Sequence, residues 1–300
     1  MTVRAAVVHT SGRPLLSARG RAAHRTALRR LGVELDDRGP GDDAAARHGY
    51  SVATPRERAA ILAAALTDPD IPVVWAAQGG FGATEVLPDL ERLLPARLPA
   101  TTFVGFSDSC AIGATLALCH TGVDFLHATH AFDPHLLTGR RTDAAALIRH
   151  LHGVPKVITG TATAGGTGGH GRVAGHVVPL NLSIAACLPA VVELPDGPVL
   201  FLEDVDDDLR RLLRALDVLC AAGWLEAAKA VVLGEFAACR DESGATLPLE
   251  RIARAVAERT ATPVLVWPEF GHGRARVPLR LGAPVELVPA GDMCRLTVGV

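Results

Sequence analysis

At 300 residues the chain is longer than one core usually organises, so two domains are expected. With 49% hydrophobic and 21% charged residues it has the composition of a globular protein able to bury two ordinary cores. A formal net charge of −2 with no basic stripe argues against nucleic acid or an anionic membrane surface as partner. There is no run of about 20 apolar residues and no apolar segment behind a basic start, so a soluble cytoplasmic protein is expected. The six cysteines (Cys110, Cys119, Cys187, Cys220, Cys239 and Cys294) show no C-x-x-C spacing and read as buried free thiols.

Residues 3–9 form a buried-strand candidate, followed by a helical pattern to about Leu31 and a strand-like Val33-Glu34-Leu35. Residues 36–48, rich in Gly, Asp and Pro, read as a loop. Thr54-Pro55-Arg56-Glu57 is a helix start: threonine at the N-cap, proline at the first position, and glutamate reaching back from the third. Residues 72–77 are continuously apolar, as in a parallel strand covered on both faces. They run into the turn Gln78-Gly79-Gly80-Phe81-Gly82 and then a helix carrying Val86, Leu87 and Leu90. A further strand at 101–105 leads through Ser107 into an Ala/Leu-rich helix. Strands alternating with helices predict an α/β layer with a mostly parallel sheet. Residues 1–150 are read as the first domain and 151–175, with their many glycines, as a connection or loop. Residues 176–300 are read as a second α/β domain, with strands near 198–202, 230–233, 264–267 and 284–288 and helices at 206–221 and 249–259.

Gly105-Phe106-Ser107-Asp108-Ser109 has the strand–turn–helix setting of a nucleophile elbow, which pushes a hydroxyl out of the sheet's end. A serine at such a junction also serves as a plain N-cap, and Ser109 stands where G-x-S-x-G has its second glycine. The turn at 79–82 lacks nucleotide-binding spacing, and its glycines let a backbone N–H approach a ligand; a bare tight turn has the same sequence. Asp206, Asp207 and Asp208 suit the N-cap and first turn of a helix. Glu203 directly follows an apolar strand, where a carboxylate needs a partner. His272 lies between two glycines in a loop, which leaves it no core role to fill. His120, His127, His130, His150 and His152 lack metal-ligand spacing, and the acidic run matches no calcium loop, so neither metal nor cofactor is expected.

Together these motifs resemble the LD-carboxypeptidase family of serine peptidases, which includes the microcin C self-immunity peptidases. The resemblance runs from about Tyr50 to Leu287, with its motifs in family order. They are Gln78-Gly79-Gly80-Phe81-Gly82 with Leu87-Pro88-Asp89-Leu90, Gly105-Phe106-Ser107-Asp108, Asn181-Leu182-Ser183, Leu202-Glu203-Asp204 and Phe270-Gly271-His272-Gly273. The resemblance implies an N-terminal flavodoxin-like or Rossmann-like domain, a C-terminal swivelling β/α domain and a homodimer. It implies Ser107 as nucleophile, Glu203 as orienter and His272 as base. It also implies an oxyanion held by the backbone N–H groups of Asp108 and Gly80. Gln78, Gly79, Phe81, Pro179, Leu180 and Asn181 fall in the substrate region.

Two departures lie there. Gln78 stands where the family has arginine, removing a fixed charge and a planar fork of donors. Pro179-Leu180 replaces a glycine pair ahead of Asn181, which reduces backbone approach to a ligand. The expected activity is hydrolysis of an amide, either the L,D-bond of a murein tetrapeptide or a bond in another small peptide or amide. A related hydrolase or acyl-transfer enzyme in a self-immunity or natural-product pathway, and a non-catalytic binding descendant, are the alternatives.

Overall fold

The computed structural model describes residues 2–12, 16–39, 49–154, 157–165, 171–291 and 293–299, and excludes the side chain of residue 142. The chain folds as two units, residues 1–154 and 155–300.

The first unit is built on five parallel strands: β1 (Val3–Val8), β2 (Val33–Asp37), β3 (Val73–Ala76), β4 (Arg97–Gly105) and β5 (Thr121–His127). Their spatial order is β2-β1-β3-β4-β5, the flavodoxin-like winding, whose order reverses between β1 and β3. Every residue of β3 is buried, as its unbroken apolar run requires. The helices are α1 (Ala18–Arg30), α2 (Pro55–Leu66), α3 (Leu87–Leu93), α4 (Cys110–Cys119) and α5 (Arg141–Leu151). Helix α2 opens with the expected capping box: Glu57 N donates to Thr54 Oγ1 at 3.2 Å, and Thr54 N donates to Glu57 Oε2 at 2.9 Å. Gly113 lets α4 lie flat on β5, because a side chain there would run into the Phe125 ring.

The second unit is a closed barrel in the order β10-β6-β13-β12-β7-β8-β9. Its strands are β6 (Val157–Ala164), β7 (Val173–Asn181), β8 (Pro198–Val205), β9 (Ala230–Ala237), β10 (Val264–Gly271), β12 (Pro284–Ala290) and β13 (Met293–Gly299); β11 (Leu279–Arg280) is a two-residue strand. Strands β7 to β10 are mutually parallel, with helices α6 (Leu209–Ala221) and α7 (Leu249–Ala257) in their connections. This is the β/α part of the expected domain. Antiparallel β12, β13 and β6 close it into a barrel around Phe201, Trp267 and Phe270.

Three sequence expectations are corrected here. The stretch 151–175 is no linker over Val157–Ala164, which is a barrel strand paired to β13 and β10. Its β-branched threonines alternate with small residues because the barrel interior holds Trp267, against which a side chain at Gly160 would clash. The glycines at 166–170 lie outside the described residues. Helix α6 begins at Leu209, and of the three acids only Asp208 caps it, accepting from Arg211 N at 3.1 Å. Asp206 is left-handed at φ +53, and Asp207 lies 2.8 Å from Ser183 Oγ. The six cysteines are free, but Cys119, Cys187 and Cys220 are exposed while Cys110, Cys239 and Cys294 are buried. Among the described residues no helix is long and apolar enough to cross a membrane.

Candidate active site

In an open parallel sheet ligands bind outside the carboxyl ends of the strands near the reversal of order. In the first unit the carboxyl ends of β1, β3 and β4 carry Gly12, the turn at 78–82 and Ser107 respectively. Ser107 follows β4 in a left-handed conformation at φ +56, which costs an L-residue roughly 1–2 kcal/mol. A short 3₁₀ turn (Ser107–Ser109) then feeds α4. Ser107 is the cap residue of neither turn nor helix, so the plain N-cap does not describe it. Ser109, at φ −69, occupies ordinary helical space and needs no glycine. Its hydroxyl donates to Phe106 O at 2.8 Å and lies 3.0 Å from His130 Nε2, which pins the corner.

The glycine turn is packed directly against this elbow. A Cβ on Gly79 would sit 3.2 Å from both Cβ and Oγ of Ser107 and 3.0 Å from His130 Cε1. Gly80 has φ +121, and a Cβ there would lie 3.2 Å from N and Cα of Gly12. Only glycine fits that conformation and that approach. Phe81 is 62% exposed and meets the Tyr50 ring edge-on, with centroids 5.4 Å apart. Gln78 faces inward: it is 1% exposed, and its Nε2 donates to Gly12 O at 2.7 Å. The amide thus braces the loop after β1 against the turn, beside a His9–Asp37 pair joined at 2.9 Å. The Asp108 carboxylate accepts from Ala83 N at 2.9 Å. Burial pushes this carboxyl up, against the opposing pull of the Ser11 hydroxyl, the Ala83 N–H and the Arg58 guanidinium.

The second unit holds the carboxylate and the imidazole. Glu203, on β8, is fully buried, and His272 follows the last residue of β10 rather than a separate loop. His272 Nδ1 and Glu203 Oε2 are 2.6 Å apart. A carboxylate only accepts, so Nδ1 carries the proton, and in the neutral imidazole the lone pair is then on Nε2. Gly271 makes the pair possible: it has φ +100, and a Cβ would come within 2.8 Å of Glu203 Cβ.

Asn181 ends β7 in register with Glu203 on β8. Its Oδ1 accepts from Ile184 N and its Nδ2 donates to Asp204 Oδ1, each at 3.2 Å. Asp204 Oδ2 also accepts from Ser183 N at 2.9 Å and Ser183 Oγ at 2.7 Å. Burial, then the neighbouring Glu203 carboxylate, pushes the Asp204 carboxyl up to about 6. Pro179 and Leu180 are buried within β7, opposite Phe201 and Leu202 of β8. Side-chain roles for Arg58, Asp108, Ser109, His130 and Asp204 were not anticipated from the sequence. Arg58 left a signal in its spacing, a cation ahead of the Ala/Leu run of α2 on the helical face of Leu62 and Ala65.

The chain thus carries a flavodoxin-type sheet ending in a serine elbow and, in its second unit, a mixed closed barrel with a buried Glu–His pair. The chain belongs to the LD-carboxypeptidase family: the family's N-terminal domain profile matches residues 6–128 and its C-terminal domain profile residues 174–287. It is an enzyme of the carboxypeptidase type. A murein tetrapeptide carboxypeptidase of Pseudomonas aeruginosa is 30% identical over 262 residues, covering 82% of this chain and 82% of its own length. Among solved structures, a muramoyltetrapeptide carboxypeptidase from Oxalobacter formigenes superposes with a TM-score of 0.79 at 21% identity, over 99% of this chain and 98% of its own. The microcin C7 self-immunity protein MccF, in its wild-type apo state, gives 0.77 at 19% identity over 99% and 95%. These two likenesses concern the fold.

Proposed function

We propose that the chain cleaves an amide bond of a small peptide through an acyl-enzyme, with Ser107 as nucleophile, His272 as general base and Glu203 as its orienter. The observation that carries this reading is the 2.6 Å Glu203–His272 pair, which leaves Nε2 as the basic nitrogen. In this mechanism His272 Nε2 takes the Ser107 proton as Oγ attacks the carbonyl carbon. The tetrahedral oxyanion is held by the N–H groups of Gly80 and Asp108, each worth roughly 3–4 kcal/mol in the transition state. His272 then gives the proton to the leaving amine, and water reverses the sequence to free the acid. Family membership favours the L,D-bond of a murein tetrapeptide, hence a place in peptidoglycan recycling. The inward-facing Gln78 and the Pro179-Leu180 strand end favour a second reading, a different small amide or an acyl-transfer substrate. A homodimer and a cytoplasmic location belong to the same proposal; sedimentation at several concentrations tests the first.

A fluorophosphonate probe tests the chemistry without knowledge of the substrate. Ser107 Oγ bonds to phosphorus, fluoride leaves, and the serine proton passes to His272. Labelling of Ser107 in the wild type, lost in Ser107→Ala and slowed in His272→Ala, is the expected result. An unlabelled wild type that also turns over no peptide leaves a binding protein in place of the enzyme. D-alanine release from the tetrapeptide separates the murein reading from the second one.

A further inference from the structure

Arg58 on α2 is 2% exposed, and three groups engage its guanidinium. Nη1 donates to Thr10 O and, at 2.8 Å, to Gly82 O; Nη2 pairs with Glu85 Oε2 at 2.8 Å. Tyr50 Oη donates to the same carboxylate, reaching Oε1 at 2.7 Å. On the other side of the glycine turn, Asp108 Oδ2 accepts from Ala83 N at 2.9 Å. Gly82 O and Ala83 N are the two poles of one peptide group. A buried cation therefore grips its oxygen while the carboxylate next to Ser107 grips its N–H. The peptide dipole lies head to tail between opposite charges, and its rotation would break both contacts. Two residues upstream is Gly80, held at φ +121 against Gly12, and Thr10, also held by Arg58, lies two residues before Gly12.

Replacing a buried ion network by apolar groups is often neutral or favourable for stability, so stability alone is a weak reason for this one. We infer that Arg58 and the Asp108 side chain are positioning residues that clamp the Gly82–Ala83 peptide and thereby aim the Gly80 N–H at the oxyanion formed on attack by Ser107. This rests on the proposed role of Ser107. Both side chains are buried and act through the turn. The guanidinium is required because two of its nitrogens serve three acceptors at once, which an ammonium on a flexible stem does not reproduce.

The test is the second-order rate of Ser107 labelling by a fluorophosphonate, whose phosphoryl oxygen enters the oxyanion position, measured over pH and beside the melting temperature. For Arg58→Met, Arg58→Lys and Asp108→Ala that stay folded, the expected rate is about 10- to 100-fold below wild type, with the pH midpoint unchanged because His272 is untouched. Asp108→Asn keeps an acceptor oxygen for Ala83 N–H and should recover part of the loss. Folded variants labelled at the wild-type rate overturn the clamp alone. A wild type that is never labelled overturns the nucleophile assignment and the clamp with it. If none of the variants folds, the network is a stability element and the positioning role falls.

Discussion

Glu203 Oε2 and His272 Nδ1 lie 2.6 Å apart, joined across the carboxyl ends of β8 and β10. The carboxylate is fully buried and the imidazole partly buried, so solvent is kept from the Glu203 side of this contact. The pair fixes which imidazole nitrogen is basic, and that is its main consequence. Glu203→Gln keeps the volume but offers an amide N–H₂ as readily as an oxygen, so the opposite tautomer becomes accessible. The expected result is a loss of roughly 10³- to 10⁴-fold in the Ser107 labelling rate, with the fold intact by circular dichroism. Labelling within tenfold of wild type would remove Glu203 from the orienting role.

Gly271 is the local condition for that pair. Alanine at φ +100 is strained, and its Cβ would meet Glu203 Cβ at 2.8 Å, where the strand backbone leaves no flexible neighbour to yield. Gly271→Ala should lose roughly 2–4 kcal/mol of unfolding free energy in urea titrations. The low-field proton resonance expected of a short Nδ1–H···carboxylate bond should vanish with it. A variant of wild-type stability that keeps the resonance would show that the strand end relaxes freely.

Most of the first unit was readable because its signals are local. The Thr54-Pro55-Glu57 cap, the apolar β3 and the turn into α4 each depend on neighbours within a few residues. The barrel was not readable, because its closure depends on strands distant in sequence: β6 pairs with β13 more than a hundred residues on. Its Thr-Gly-Thr-Ala run looks like a linker until Trp267 supplies the reason for the small residues. The site followed the same division. Ser107, Glu203 and His272 stood out by motif, but the inward turn of Gln78 onto Gly12 O is a tertiary fact. So is the grip of Arg58 on the Gly82 carbonyl. The family resemblance implied only a backbone role for Asp108; its carboxylate contact with Ala83 N appears once the turn and elbow are folded together.

Backbone strain at Ser107 separates stability from chemistry. At φ +56 alanine keeps the penalty that serine bears, whereas glycine removes it. Both Ser107→Ala and Ser107→Gly should abolish labelling. Chemical denaturation should place Ser107→Gly about 1 kcal/mol above Ser107→Ala, despite the greater flexibility of glycine in the unfolded chain. Equal stabilities, or the reverse order, would mean that the elbow is unstrained in solution.

Asp204 gives the second unit a pH dependence of definite sign. Its carboxyl, ordinarily at 3.8, is pushed up to about 6, first by burial and then by Glu203. The folded chain therefore binds this proton more tightly than the unfolded chain. The associated stability is fully present below pH 3.8 and is lost as pH rises through about 6. A shift of this size corresponds to on the order of 3 kcal/mol between the two ends of that window. Asp37 acts in the opposite sense. Its carboxyl is lowered by the His9 contact and by the Arg25 and Arg21 charges, which outweigh the burial that raises it, so its contribution disappears as pH falls. Unfolding free energies measured at pH 7 and pH 5 in wild type and Asp204→Asn isolate the Asp204 part. Asparagine keeps a single carbonyl oxygen, so it loses the acceptor either toward Ser183 or toward Val205 and Asn181, and should be less stable at both pH values. The wild type should gain stability relative to the variant on going from pH 7 to pH 5. A gap that stays constant, or narrows on acidification, would show that Asp204 does not take up its proton near pH 6.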